Sequence, residues 1–163
     1  MALSIVFSWV ANLKIVPSIR YNDCEEAIEW LCSAFGFKKH LVVPSEAGGI
    51  LHAQLVYEDC MVMLGKAHEG DEFGKLNSSP LELDGQNTAS IFMVVEDADS
   101  HYKKAIEGGA EIVLDIKDEE YGGRGYTCKD LEGHLWNFGT YNPWSGGGKT
   151  EIENGQMIHK EEN

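Results

Sequence analysis

One layout occurs twice in this chain, at a constant offset of 74 residues. Asp23 opens Asp-Cys-Glu-Glu-Ala-Ile-Glu-Trp-Leu, and Asp97 opens Asp-Ala-Asp-Ser-His-Tyr-Lys-Lys-Ala. Ahead of each lies an apolar stretch, Ile15-Val16-Pro17-Ser18-Ile19 and Ala89-Ser90-Ile91-Phe92-Met93. Well behind each comes a second match, Met61-Val62-Met63-Leu64-Gly65 and Leu135-Trp136-Asn137-Phe138-Gly139. A duplicated unit must bury two equivalent apolar faces, and a site then tends to form where the copies meet.

Within each copy the periodicity switches from strand to helix and back. Residues 14–21 alternate around Ile15, Ile19 and Val16, as a strand does. Asp23 stands at a helix N-cap with Glu26 three residues on. Ala27, Ile28, Leu31, Cys32 and Phe35 then recur at helical spacing until Gly36. Strands are expected at 38–44, 50–57 and 60–66, the last two joined by Glu58-Asp59. The second copy reads as a strand over 88–95, a helix over 97–107 and strands over 111–117, 123–129 and 134–141. Tyr102, Ala105 and Ile106 are placed on that helix's apolar face, and Asp130-Leu131-Glu132-Gly133 forms the last hairpin. The expected class is α+β: two tandem βαβββ modules, 14–66 and 87–144, forming a curved, cup-shaped mixed sheet with helices outside. Residues 1–13 read as an apolar arm, 67–86 as a polar linker or flap, and 145–163 as a flexible acidic tail.

Charge and composition narrow the partners. A net charge of −14 opposes binding to nucleic acid, which needs Lys and Arg on phosphates, and to anionic membrane surfaces. The apolar start has no basic residue ahead of it, so it reads as a packing arm of a cytoplasmic protein rather than a signal peptide. Cys24 and Cys32, eight apart on one helix, are too distant to bridge, and no Cys-x-x-Cys occurs among the four cysteines. Reduced, mostly buried thiols are expected. Neither Gly-x-Ser-x-Gly nor a phosphate loop is present, and Gly146-Gly147-Gly148-Lys149 lacks the strand and helix such a loop requires.

The sixteen residues Tyr121-Gly122-Gly123-Arg124-Gly125-Tyr126-Thr127-Cys128-Lys129-Asp130-Leu131-Glu132-Gly133-His134-Leu135-Trp136, with Phe35-Gly36-Phe37 at the end of the first helix, resemble a known family. It is the vicinal oxygen chelate superfamily of glyoxalases, extradiol dioxygenases and fosfomycin and bleomycin resistance proteins. The likeness spans about residues 12–144. In metal-dependent members a divalent ion sits in the cup, held by His and Glu from the first and last strands of each module. The resemblance places those positions at Val16, Met63, Ser90 and Asn137, none of which is an anionic or imidazole donor. No metal and no cofactor is therefore expected. Of the six histidines only His52, on an expected sheet strand, reads as well placed for the cup, and one imidazole does not make a metal site.

Strand alternation then nominates the lining of the cup. With Asn137 go Tyr141 and Leu135; with Met63 goes Met61; with Ser90 goes Phe92; with Val16 go Ser18 and Arg20. Either parity is open on 50–57 and 123–129; the one favoured turns His52, Gln54, Arg124 and Tyr126 inward, leaving Ala53 and Leu55 for the helix side. Such a lining is apolar with a few polar points, the usual make-up of a small-molecule site. Each residue also has a plainer reading: Met61, Met63 and Phe92 as core, Arg124 in an internal ion pair, His52 as a satisfied imidazole. The expected function is metal-free binding of a small, partly aromatic molecule, as bleomycin resistance proteins bind by sequestration, in a homodimer of the kind the family implies. The alternatives are a metal-independent lyase or isomerase using His52 or Tyr126 for proton transfer and Arg124 for an anion, or a divergent metal-dependent glyoxalase or dioxygenase.

Overall fold

Both aspartates cap as their spacing implies. In the computed structural model, Asp23 Oδ1 accepts from the Glu26 N–H at 2.9 Å, and Asp97 accepts from the Ser100 N–H at 3.0 Å and its hydroxyl at 2.6 Å. The helices that follow are α1, Cys24–Ala34, and α2, Ala98–Glu107. The structure describes residues 15–46, 48–68 and 72–143, and the backbone of 150–153 and 156–159. The N-terminal arm expected at 1–13 lies outside the described residues.

The strands of the first module are β1 (Ser18–Tyr21), β2 (Lys38–Pro44), β3 (Ile50–Tyr57) and β4 (Cys60–Lys66). Those of the second are β5 (Ile91–Val94), β6 (Glu111–Asp118), β7 (Arg124–Lys129) and β8 (Leu135–Gly139). Each module makes one four-stranded mixed sheet, in the orders β1-β4-β3-β2 and β5-β8-β7-β6. Two parallel pairs are equivalent: Ser18 lies opposite Met63, and Phe92 opposite Asn137. The fold is thus the expected α+β pair of βαβββ modules. The tail differs from its expected irregular form: Thr150–Glu153 and Gln156–His159 pair as antiparallel strands β9 and β10.

The helix-side faces of both sheets feed one core. Leu31, Phe35, Leu55, Leu64, Trp136 and Phe138 are all fully buried in it. Phe35, closing α1, packs edge-on against Phe138 at 4.7 Å and Trp136 at 5.4 Å between ring centres, joining the first module to the second sheet. The helices approach closely at Gly108, where a Cβ would lie 2.4 Å from that of Ala34. On α2 the buried face is Ala98, His101 and Ala105, while Ile106, expected there, is exposed. Among the cysteines Cys24 and Cys128 are buried, Cys32 is half-buried and Cys60 exposed, all as free thiols. Desolvation above all pushes the Cys24 and Cys128 thiols up to about 12, so they stay protonated and inert.

The modules are also joined by carboxylates from the β7–β8 hairpin. Asp130 accepts from the Tyr21 hydroxyl at 2.6 Å and the Trp136 indole at 3.0 Å. Glu132 accepts from the Asn22 and Asp23 amides at 2.9 Å each, next to the start of α1, and from the Ser79 hydroxyl at 2.5 Å. Both acids are buried, and their donors compensate the desolvation. Ser79 belongs to the connector, whose short helical turns Gly74–Leu76 and Pro80–Glu82 hold it against the hairpin. At this point the connector is docked rather than a free linker.

Candidate functional site

Strand register decides which side chains leave the core. Ala53, Leu55, Val62 and Leu64 are buried under α1, so His52, Gln54, Met61 and Met63 occupy the opposite face of the first sheet, each half-buried. Gln54 lies opposite both Met63 and Leu41, and His52 opposite Val43. Gln54 and His52 are within 3.3 Å of each other through Nε2 atoms. On 50–57, then, Ala53 and Leu55 take the helix side and His52 and Gln54 the open face.

On β7 the parity is the reverse of the one favoured. Tyr126 and Cys128 point into the core, and Thr127 shares the open face with Asn137. The cause lies in the hairpins. Val56 pairs with Met61 across four residues, whereas Lys129 pairs with Leu135 across five. The extra residue makes the repeat offset 73 before the hairpin and 74 after it, so Gln54 corresponds to Thr127 and not to Cys128. A one-residue slip transfers each side chain of a strand to the other face.

Tyr126 and Arg124 are consequently committed elsewhere. The His101 Nε2–H donates to the Phe35 carbonyl at 3.1 Å, so its Nδ1 is the acceptor for the Tyr126 hydroxyl at 2.7 Å. Burial pushes the Tyr126 phenol far above its ordinary range. Burial, with the Lys104 charge, also draws the His101 imidazole below its ordinary range, against a smaller opposing effect of the Phe35 carbonyl. A proton-transfer role for Tyr126 has no support in this geometry. Arg124 is in the internal ion pair: Nε and Nη2 donate to Asp99 of α2 at 2.9 and 3.1 Å, and Nη1 to Asp118 at 3.2 Å.

The open face of the second sheet carries a hollow of about 50 Å³. Its sides include Phe92, Tyr121 and Tyr141, all substantially exposed, with the two tyrosine rings edge-on at 5.3 Å. Gly125 and Gly139 face each other across β7 and β8 beneath Phe92. A Cβ at Gly125 would come within 2.9 Å of the Phe138 carbonyl, and one at Gly139 within 3.4 Å of the Phe92 ring. Thr127 and Asn137 supply polar atoms, and the backbones of Arg124 and Tyr126 run along the wall. A second cavity, a cleft of about 310 Å³, lies where β1, the connector and the start of β8 meet. Ser18 lines it, as do Arg20 and Leu135.

The four positions at which relatives hold a metal do not fit one. Val16, half-buried just before β1, and Met63 carry no hard donor. Ser90 is an exposed hydroxyl preceding β5. Asn137 is already engaged: its Oδ1 accepts from the Thr127 hydroxyl at 2.8 Å and its Nδ2 donates to the Ile91 carbonyl at 3.3 Å. Among the described residues no three His, Cys, Asp or Glu side chains converge as a ligand set. Nor is any described helix long and apolar enough to cross a membrane. The sequence reading passed over Tyr121 as lining, and it assigned Ser18, Arg20 and Leu135 to the cup rather than to this cleft. Only the exposed tyrosine beside Gly122-Gly123 offered a signal, as a ring on a glycine turn.

Comparison with known proteins agrees with this geometry. A family model described as Glyoxalase/Bleomycin resistance protein/Dioxygenase superfamily matches residues 9–138. The crystal structure of TioX from Micromonospora sp. ML1 is similar at 31% identity and a TM-score of 0.62, covering 78% of this chain and 94% of that one. A glyoxalase/bleomycin resistance protein from Streptomyces sp. CB03234 shares the fold at 17% identity and a TM-score of 0.57, over 76% and 96% of the two chains. An uncharacterized protein of Mycobacterium bovis is 29% identical over 123 residues, 76% of this chain and 80% of that protein.

Proposed function

We propose, for a chain that belongs to the glyoxalase/bleomycin resistance protein/dioxygenase superfamily, that it is a metal-free binding protein holding a small, partly planar molecule in the cup. The observation that carries the reading is the aromatic-sided hollow of the second module. Phe92, Tyr121 and Tyr141 stand exposed around a glycine floor, where paired glycines let a flat ring approach the backbone. Exposed aromatic rings around a concave floor, with Asn137 and Thr127 as polar points, are the features of a stacking site. The donor set at Val16, Met63, Ser90 and Asn137 supports binding without a divalent ion. The soft wall of Met61 and Met63, with His52 and Gln54, suits an adaptable opposing surface.

The reading includes a homodimer. Leu41 and Leu114 lie exposed on the edge strands β2 and β6, on the same open faces as Gln54 and Thr127. Apolar residues on open sheet faces and edges favour burial against a second copy. A second module laid over the hollow would enlarge it to ligand size. Native mass spectrometry of the chain taken directly from cells tests the proposal. The expected result is a dimer carrying a low-mass adduct that Phe92→Ala releases. A monomer without adduct, which also fails to bind planar aromatic compounds in solution, would overturn it.

A further inference from the structure

We infer that the cleft between β1, the connector and β8 is a second binding site, one that takes an organic carboxylate with an apolar body and holds it through Arg20. The chain has two arginines. Arg124 meets two carboxylates, Asp99 and Asp118. Arg20, in a chain with 27 Asp and Glu, is paired with none among the described residues, and its Nε is buried without an acceptor. The one hydrogen bond its side chain makes within the described residues is Nη1 to the Lys66 carbonyl at a long 3.5 Å. A buried donor of this kind calls for an ion or water that completes it.

The guanidinium is held in place. It packs against Gly65, where a Cβ would fall 2.2 Å from Nη1 and 3.1 Å from the guanidinium carbon. The ring of Phe73 lies 5.4 Å from the guanidinium carbon. A guanidinium donates only in its own plane, through a fork of N–H groups that a carboxylate matches bidentately. The cleft that Arg20 lines holds about 310 Å³, within the usual span for small-molecule sites, and among the described residues no Asp or Glu lines it. Ser18, Ser78, Gln86 and Thr88 add polar atoms beside Arg20, and Ile19, Leu83 and Leu135 form the apolar part. Its walls are fixed beforehand. Ser79 anchors the connector to Glu132, and Asn87 donates to the Gly133 carbonyl at 2.9 Å while accepting from the Leu135 amide at 3.2 Å. The site is therefore a local cationic point in a protein of net charge −14, selecting one anionic group on an otherwise apolar molecule.

Two arginines give two side-chain Nε–H signals in the nitrogen-15 spectrum of the full chain, and Arg124 serves as the internal control. The probes are benzoate, octanoate and 4-phenylbutyrate, each set against its alcohol, and inorganic phosphate. The expected result is a saturable shift of the Arg20 signal with at least one carboxylate, none with its alcohol, and a stationary Arg124 signal. Arg20→Gln then weakens that carboxylate at least tenfold, as the loss of a charge-assisted pair implies. Phe92→Ala leaves it unchanged, which separates this site from the hollow of the second module. The inference is overturned if no carboxylate moves the Arg20 signal at millimolar concentration. Equal shifts with the alcohols, or a shift with phosphate alone, would overturn it as well.

Discussion

Truncating Glu132 to alanine removes, from the second module, the acceptor of three donors that come from the first module and the connector. The carboxylate receives the Asn22 and Asp23 amides at 2.9 Å each and the Ser79 hydroxyl at 2.5 Å. Hydrogen bonds to a charged group contribute about 1.5–3 kcal/mol each when buried. Asn22 and Asp23 are exposed residues, so water replaces part of what their amides lose. Ser79 is fully buried and has no such recourse. Taking the low end for the amides and the middle for the hydroxyl, E132A destabilises by roughly 5 kcal/mol. For a domain of this size that lowers Tm by roughly 10–20 °C. Glu132→Gln keeps one acceptor oxygen and should lose about half as much, and Ser79→Ala about 2 kcal/mol. Calorimetry and urea titration of the three variants check the series. If E132A falls within about 1 kcal/mol of the parent, or no lower than S79A, the carboxylate is not what holds the modules together.

Two further outcomes follow from close contacts and a buried imidazole. Gly108 has an ordinary helical φ, so alanine there gains up to about 1 kcal/mol of backbone preference. Its Cβ, however, would sit 2.4 Å from Ala34 Cβ and 2.7 Å from Ala34 Cα, and such overpacking costs about 1–3 kcal/mol, so Gly108→Ala should be net destabilising by urea titration. His101, faced by Tyr126, Phe35, Tyr57, Phe138 and Lys104, has a folded pKa below its ordinary 6.5. The unfolded chain binds its proton first, so the stability His101 contributes is whole above pH 6.5 and is lost as pH falls toward the folded value. His101→Gln should flatten that part of a Tm-against-pH curve, and an unchanged slope would show that other groups set it.

Much of the fold could be read from the chain because its signals are local. Each helix start is written in one aspartate and the residues three positions on, and each module's parallel pair follows from the apolar runs that flank it. On β3, where either parity was open, the alternation of apolar Ala53 and Leu55 with polar His52 and Gln54 favoured the one found. Parity on β7 was another matter. The 74-residue offset holds for the helix caps and the last strands, and it slips to 73 only where a five-residue hairpin replaces a four-residue one. Tyr126-Thr127-Cys128 can present either face until His101 is known to sit within reach of the phenol, and that contact spans 25 residues. The cleft was illegible for a similar reason. Arg20 seemed one more residue alternating on β1, and its isolation from every described carboxylate is a property of the folded surroundings.

The longer hairpin has a consequence for how such a chain can vary. Two modules with equal turns would be interchangeable, and either could lie over the other. One added residue lets Asp130 and Glu132 reach the start of α1, while Glu58-Asp59 of the first module closes as a two-residue turn. The duplicated chain thereby acquires a direction: its later half grips its earlier half. Deleting one residue from Asp130–His134 would restore sequence symmetry and remove the grip, whereas lengthening Glu58-Asp59 leaves it intact. Length changes should thus be tolerated at one hairpin and not at its twin, although both are surface turns of the same repeat.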